Sequence, residues 1–172
     1  MEEKIIIESD RILLRQFVKE DYKSVLEYGS NIEVQKYTGD NILRSELDAK
    51  NVIQGVLSDY NNYGYGRLAA IFKPENKIIG FAGLKYLPEL DETDIGFRFL
   101  PQYWGLGIAT EISIQIINYG FEILNLKKII AVAHPENIAS CKVLEKLGFK
   151  FYKLATYDNS DKTKYNWYKI AQ

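Results

Sequence analysis

The stretch Pro101-Gln102-Tyr103-Trp104-Gly105-Leu106-Gly107 lies between an apolar run at 95–100 and a helical pattern at 109–124. It reads as the end of a strand, a glycine-bearing turn and the N-terminus of a helix. Pro101 has no amide to give to a sheet ladder, so the strand stops there. Gly105 and Gly107 permit positive φ and place no Cβ against anything pressed on the backbone. The N–H groups of the next helical turn have no intrahelical partner and sit at the positive end of the helix dipole. A phosphate is the expected guest.

Working outward, the spacing predicts a first strand over 11–17, a short helix from Glu20 or Asp21 to Tyr28, and a turn or short helix over 32–40. A longer helix over 45–60 follows. Ser45 and Asp48 resemble a capping box, and Leu47, Val52, Val56 and Tyr60 form its expected buried side. Residues 65–72 and 77–86 read as strands joined by the turn Lys73-Pro74-Glu75-Asn76. An acidic loop over 87–93 leads to the strand at 94–100. The helix at 109–124 carries isoleucines at 112, 114, 116 and 117, so it is expected to be well buried on a sheet. A strand over 128–133 ends at His134-Pro135-Glu136-Asn137, where Asn137 suits the N-cap of a helix to Leu147. Gly148 takes the C′ place, with Phe149 beyond it. Two last strands, 149–157 and 164–170, flank the polar turn Asp158-Asn159-Ser160-Asp161. The fold class is mixed α/β (α+β). We expect a mostly antiparallel sheet of six or seven strands, helices on both faces, and one β-α-β crossover over 95–133.

Composition narrows the function. A chain of 172 residues suits one domain, 1–172, with its own core. The formal net charge is −1, which gives no nucleic-acid footprint. No apolar run approaches a membrane span, and Met1-Glu2-Glu3-Lys4 is not the start of a signal peptide. Cys141 is the only cysteine and His134 the only histidine, so neither an internal disulfide nor a Cys- or His-built metal site is expected. These features point to a cytoplasmic, metal-free protein. An exposed edge strand would suit a homodimer.

The paired glycines invite a dinucleotide reading, but Thr110 stands where the fingerprint needs its third glycine, and no Gly-Lys-Ser/Thr occurs. Instead Gln102-x-x-Gly105-x-Gly107 resembles the acyl-CoA signature of the Gcn5-related N-acetyltransferases, the GNAT family. The likeness extends to Ile95-Gly96-Phe97-Arg98, Ala109-Thr110-Glu111, His134-Pro135-Glu136-Asn137 and Ser140-x-x-Val143-Leu144-Glu145-Lys146-Leu147-Gly148-Phe149. Arg11-Ile12-Leu13-Leu14-Arg15 and Val34-Gln35-Lys36-Tyr37-Thr38-Gly39 resemble the same branch, that of the ribosomal-protein N-terminal acetyltransferases RimJ and RimL.

The resemblance implies acetyl-CoA as co-substrate, no metal, and an amine acceptor that attacks the thioester directly in a ternary complex. It implies that the amides of Gln102, Tyr103, Trp104, Gly105, Leu106, Gly107, Ile108 and Ala109 hold the pyrophosphate, with the Thr110 hydroxyl adding a donor. Phe97, Arg98, Phe99 and Leu100 pair through their main chain with pantetheine. Asn137 has two readings, as cap of its own helix or as partner of a pantetheine amide. Many relatives carry Tyr where this chain has Leu144, so Ser140 becomes the candidate acid for the departing thiolate. A thiol of pKa near 8.5 leaves with little help. Asp94 and His134 are the candidate bases; His134 also has a structural reading at a strand end. Cys141 falls on the apolar spacing of its helix and reads as core. Lys142 and Lys146 are candidates to meet the adenosine 3′-phosphate, with Lys146 also suiting a solvated face. Tyr37, Thr38 and Tyr157 are the acceptor-side candidates, with Tyr65 and Trp167 beside them.

The leading acceptor is a protein or peptide N-terminal α-amine. The alternatives are a small-molecule amine (polyamine, amino acid or antibiotic) and a catalytically silent acyl-CoA-binding module.

Overall fold

The computed structural model describes residues 4–157 and 162–172. Two short strands, β1 (Ile5–Glu8) and β2 (Ile12–Arg15), form a hairpin, followed by a 3-10 turn at Lys19–Asp21. Helices α1 (Tyr22–Gly29), α2 (Ile32–Gln35) and α3 (Glu46–Tyr63) come next. Then follow β3 (Arg67–Phe72), β4 (Lys77–Leu87), β5 (Glu92–Phe99), α4 (Ile108–Asn118), β6 (Lys128–Ala133) and α5 (Ile138–Lys146). The hairpin of β7 (Lys150–Thr156) and β8 (Lys164–Ala171) closes the order. One sheet runs β1-β2-β3-β4-β5-β6-β8-β7. All neighbours are antiparallel except β5 and β6, the two strands joined by the α4 crossover.

The sheet has eight strands rather than six or seven. The additional one is β1, where the isoleucines behind Lys4 pair with β2. The polar turn at 158–161 lies outside the described residues. The stripe of α3 is also displaced from the expected one: Ala49 and Ile53 are buried and Val56, Leu57 and Tyr60 pack on the core, while Leu47 is 66% exposed and Val52 39%. Steps of three and four residues from Ala49 define that face, and Leu47 and Val52 fall off it. Ser45 does cap the helix, its hydroxyl accepting from the Asp48 amide at 3.2 Å. In α4 the exposed Ile114 departs from the buried stripe of Ile112, Ile116 and Ile117, and a π-turn at Tyr119–Ile123 ends the helical run. β5 begins at Glu92, so the acidic loop is a tight turn with Asp91 at φ 51°.

Strand alternation assigns the helices to faces. Gly120 of the π-turn packs on Leu84 and Ile129, whereas Tyr28 of α1 meets Phe81 edge-on at 6.0 Å between ring centres. Leu84 and Phe81 are three apart on β4, so they point to opposite faces. The α4 side therefore covers one face of the sheet and the α1 side the other. No helix among the described residues is long and apolar enough to cross a membrane.

β4 runs unusually close to β5 at Gly80. A Cβ there would overlap the Arg98 carbonyl, and Gly80 has φ 152°, opposite a slip in the β3–β4 register after Ala70. The obstacle is backbone, which cannot rotate away. Gly80→Ala is expected to lower stability by about 1–3 kcal/mol. A urea midpoint equal to that of the parent protein would contradict this.

Candidate active site

β4 and β5 pair along eight residue pairs and β6 and β8 along six, yet β5 and β6 are registered at one pair only, Asp94 opposite Ile130. Beyond that apex, toward Phe99 and Ala133, the two parallel strands are not registered with each other. A gap therefore opens in the middle of the sheet. Its β5 edge carries backbone groups that need partners, because a buried unpaired amide or carbonyl costs free energy.

The turn at 101–107 sits at the mouth of this gap. Pro101–Tyr103 is a 3-10 turn in which the Tyr103 amide donates to Leu100 O at 3.0 Å and the Trp104 amide to Pro101 O at 3.0 Å. The Tyr103 and Trp104 amides are thus engaged inside the turn. Tyr103 is buried on Phe72, its hydroxyl donating to Glu75 at 2.5 Å, and burial followed by that carboxylate pushes its pKa up to about 12. The Trp104 indole N–H donates to Phe99 O at 2.7 Å and so closes the end of β5. Gly105 and Gly107 take φ 71° and 77°, and nothing lies within 4 Å of where a Gly105 Cβ would be. Gly107 caps α4 without a side chain, which leaves the turn at Ile108, Ala109 and Thr110 uncapped. Gln102 and Leu106 are exposed beside it.

Glu111 anchors this helix end. It accepts from the Arg11 amide at 2.9 Å, Arg11 Nε at 2.7 Å and the Ser9 hydroxyl at 2.7 Å. Burial raises the Glu111 pKa, but these donors outweigh it and hold the carboxyl below its ordinary range. Thr110 lines a groove of about 280 Å³ with Ile114, Ile117, Asn118, Lys146 and Leu147 between α4 and α5. Lys142 is exposed on α5.

Across the gap, β6 ends at His134 and turns into α5. The Asn137 amide donates to His134 O at 2.9 Å, and Asn137 Oδ1 accepts from the Ser140 amide at 3.2 Å, so Asn137 is the N-cap. Its Nδ2 has no hydrogen bond among the described residues. Ser140 is half-buried in the first turn, and Cys141 is buried beneath it. His134 Nδ1 accepts from the Glu136 amide at 3.2 Å, which assigns the neutral Nε2–H tautomer.

The α1 side of the sheet presents a different surface. Asp94 and Arg98 alternate on β5 with Ile95 and Phe99, which belong to the main core. Asp94 is ion-paired with Arg67, whose guanidinium also donates to the carbonyls of Gly83 and Asp94. Burial pushes the Asp94 carboxyl above its usual range, and Arg67 and the Val132 amide act against that rise. The Tyr37 ring lies 5.2 Å from His134, and His134 lies 5.9 Å from Tyr165. Tyr157 stacks on Trp167 at 5.8 Å, and both share a cluster with Tyr165, Leu87 and Ile130. The Thr38 hydroxyl bonds the Gln35 carbonyl at 3.1 Å.

The three catalytic candidates do not form one cluster. Asp94 is at the apex, and His134, with Ser140 a turn beyond, lies four residues along β6 from Ile130, about 13 Å away. Of the acceptor-side candidates, Tyr37 packs on His134 and Tyr157 on Trp167, while Thr38 is tied to Gln35. Arg67, Gln35, Asp40 and the Glu111 anchor carry no sequence signal for their partnerships, which arise from strand register and loop packing.

The model of the GNAT acetyltransferase domain matches residues 11–150. The chain is 32% identical over 146 residues to the uncharacterized N-acetyltransferase YoaA of Bacillus subtilis strain 168, covering 84% of this chain and 82% of that one. It is 25% identical over 142 residues to spermidine N(1)-acetyltransferase of Escherichia coli K12, covering 80% and 72%. Its fold superposes with a TM-score of 0.83 on RimL, the ribosomal L7/L12 alpha-N-protein acetyltransferase in complex with coenzyme A, at 16% identity and 98% of each chain. The wedge-shaped gap, the glycine turn at its mouth and these matches agree: the chain belongs to the GNAT family of N-acetyltransferases.

Proposed function

We propose that the chain transfers an acetyl group from acetyl-CoA to a primary amine, and that the amine is the N-terminal α-amine of a protein or peptide. The residues fit the donor. The gap-side backbone edge of 96–99, apart from the Phe99 carbonyl held by the Trp104 indole, suits the amides of pantetheine, as an added strand would. The turn from Gly105 to Thr110, free of obstructing Cβ atoms and at the positive end of α4, suits a pyrophosphate. In this reading Asn137 Nδ2 donates to the same arm while Oδ1 caps α5. The groove beside Lys146 suits the adenosine end, with Lys142 on the adjoining face. The thioester supplies an activated acyl group; the chain aligns the amine with it and donates hydrogen bonds to the carbonyl oxygen from the β5 backbone.

The observation that carries the acceptor class is that, among the described residues, the site leaves no strong base unoccupied. Asp94 is held by Arg67, and His134 uses Nδ1 to accept the Glu136 amide. Deprotonating an α-amine at pH 7 costs about 1 kcal/mol, against about 4.6 kcal/mol for a lysine-like amine. The carboxylates Asp40 and Glu92 are likewise paired, with Arg98 and Lys128, so they do not form a free cradle for a polycation. In this reading Ser140 donates to the departing thiolate, while Asp94 and His134 shape the amine's approach. The second reading is a polyamine acceptor, favoured by the spermidine acetyltransferase relative.

Incubation with acetyl-CoA and, separately, peptides with a free N-terminus, lysine peptides with a blocked N-terminus, and spermidine tests the acceptor by product mass. We expect acetylation at the free N-terminus; acetylation of spermidine alone overturns it. With the α-amine acceptor, kcat/KM is expected to rise about tenfold per pH unit below pH 7 and to level near pH 8, as the free amine accumulates. A plateau already at pH 6 would mean that an enzyme base does the work.

Asn137→Ala is expected to cost about 1 kcal/mol in stability and to raise the acetyl-CoA KM. Asn137→Asp keeps the cap and should raise KM alone. Ser140→Ala is expected to lower kcat by less than about tenfold, since a thiolate is a competent leaving group. Unchanged steady-state constants in all three variants would remove these residues from the site.

A further inference from the structure

Loop 36–42 spans the acceptor side of the gap and is tied down in three places. Its two ends converge on one atom: the Gly29 carbonyl accepts Gln35 Nε2 at 3.0 Å and the Leu43 amide at 3.0 Å. Its β5 side is gripped by Arg98, which donates Nη1 to Gln35 Oε1 at 2.8 Å and Nη2 to Asp40 Oδ2 at 2.8 Å. Its far side rests on the other wall of the gap. Tyr37 lies against His134, and a Cβ at Gly39 would sit 3.2 Å from the Tyr165 hydroxyl. Arg98 itself is held over the Phe81 ring at 5.1 Å, and its side chain is only 19% exposed. The strand that lines the donor gap with its backbone thus holds the acceptor loop with a side chain.

We propose that Arg98 is a positioning residue that transmits donor occupancy to the acceptor loop: filling the gap beside β5 fixes Arg98 and thereby stiffens 36–42. This rests on the reading of the gap as the donor cleft. The planar guanidinium suits the task, because one fork reaches both ends of the loop's first half, and a lysine ammonium cannot. Asp40 is the exchangeable end, with a side chain 63% exposed, while Gln35 is buried. Before the donor binds, β5 is laddered to β4 on one side, but on its gap side it is held only by its register with Ile130 at Asp94 and by the Trp104 indole on the Phe99 carbonyl, which leaves that side some freedom to move. A ligand paired along it removes that freedom, and Arg98 carries the restraint across the sheet. Coupling of this kind is a free energy shared by the two sites.

The experiment is amide hydrogen exchange on the whole chain, with and without coenzyme A, in the parent protein, Arg98→Met and Asp40→Asn. Calorimetry measures coenzyme A binding to each in parallel. The Thr38 and Asp40 amides, bonded within the loop, are the reporters. Coenzyme A is expected to slow their exchange by about fivefold or more in the parent, by less than about twofold in Arg98→Met, and by an intermediate factor in Asp40→Asn. Equal slowing in the parent and both variants, or none in a parent that binds coenzyme A, overturns the proposal. If Arg98→Met fails to fold, Asp40→Asn decides alone. If calorimetry finds no binding to the parent, the donor reading falls first and takes the coupling with it.

Discussion

The structure depends on a single missing ladder. On one side β4 and β5 are paired along their length, and on the other β6 and β8 are, but the two halves meet at Asp94 and Ile130 alone. A parallel pair continued past this point would satisfy the backbone and close the sheet. Instead the Phe99 carbonyl accepts the Trp104 indole N–H. Pro101 then turns the chain away into α4 before β6 can pair. The gap is built into the crossover, and it leaves backbone groups that a ligand with its own amides can satisfy.

Polar side chains hold this opening in shape. Arg67 and Asp94 brace the apex, and Arg67 also reaches the carbonyls of neighbouring strands. Such a largely buried pair is weak as a source of stability, since desolvation offsets the attraction, but removing one partner strands the other charge. Its effect here is to fix where β5 leaves β6. Glu111, held by Arg11 and Ser9, does the same for the helix end that follows the glycine turn, tying the N-terminal hairpin to it across the sheet.

This division explains how relatives with one fold differ in acceptor. In the proposed reading the donor is met by backbone: a strand edge, a glycine turn and a helix terminus, all of which tolerate changes of side chain. In the same proposed reading the acceptor is met by side chains on the opposite face, drawn from loop 36–42, β6 and β8. Those can change without disturbing the gap, so fold and family specify the reaction more firmly than the amine.

The turn, helix end and cap of the candidate donor site were legible in the sequence because their signals are local. Pro101, Gly105 and Gly107 dictate a stop, a turn and an unblocked helix end from their own stereochemistry, and Asn137 caps α5 three residues from its partner. The same locality made the helices and most strands readable, and failed where periodicity was ambiguous, as on α3, where the buried stripe starts at Ala49 rather than Leu47. β1 was missed because its three consecutive isoleucines carry no alternation, and its pairing with β2 is visible only in the sheet. What only the tertiary structure decided is who faces whom across the sheet. Arg67 meets Asp94 and Arg98 meets Asp40 through strand register and loop closure. No spacing along the chain encodes those meetings, because they depend on distances set by the whole sheet.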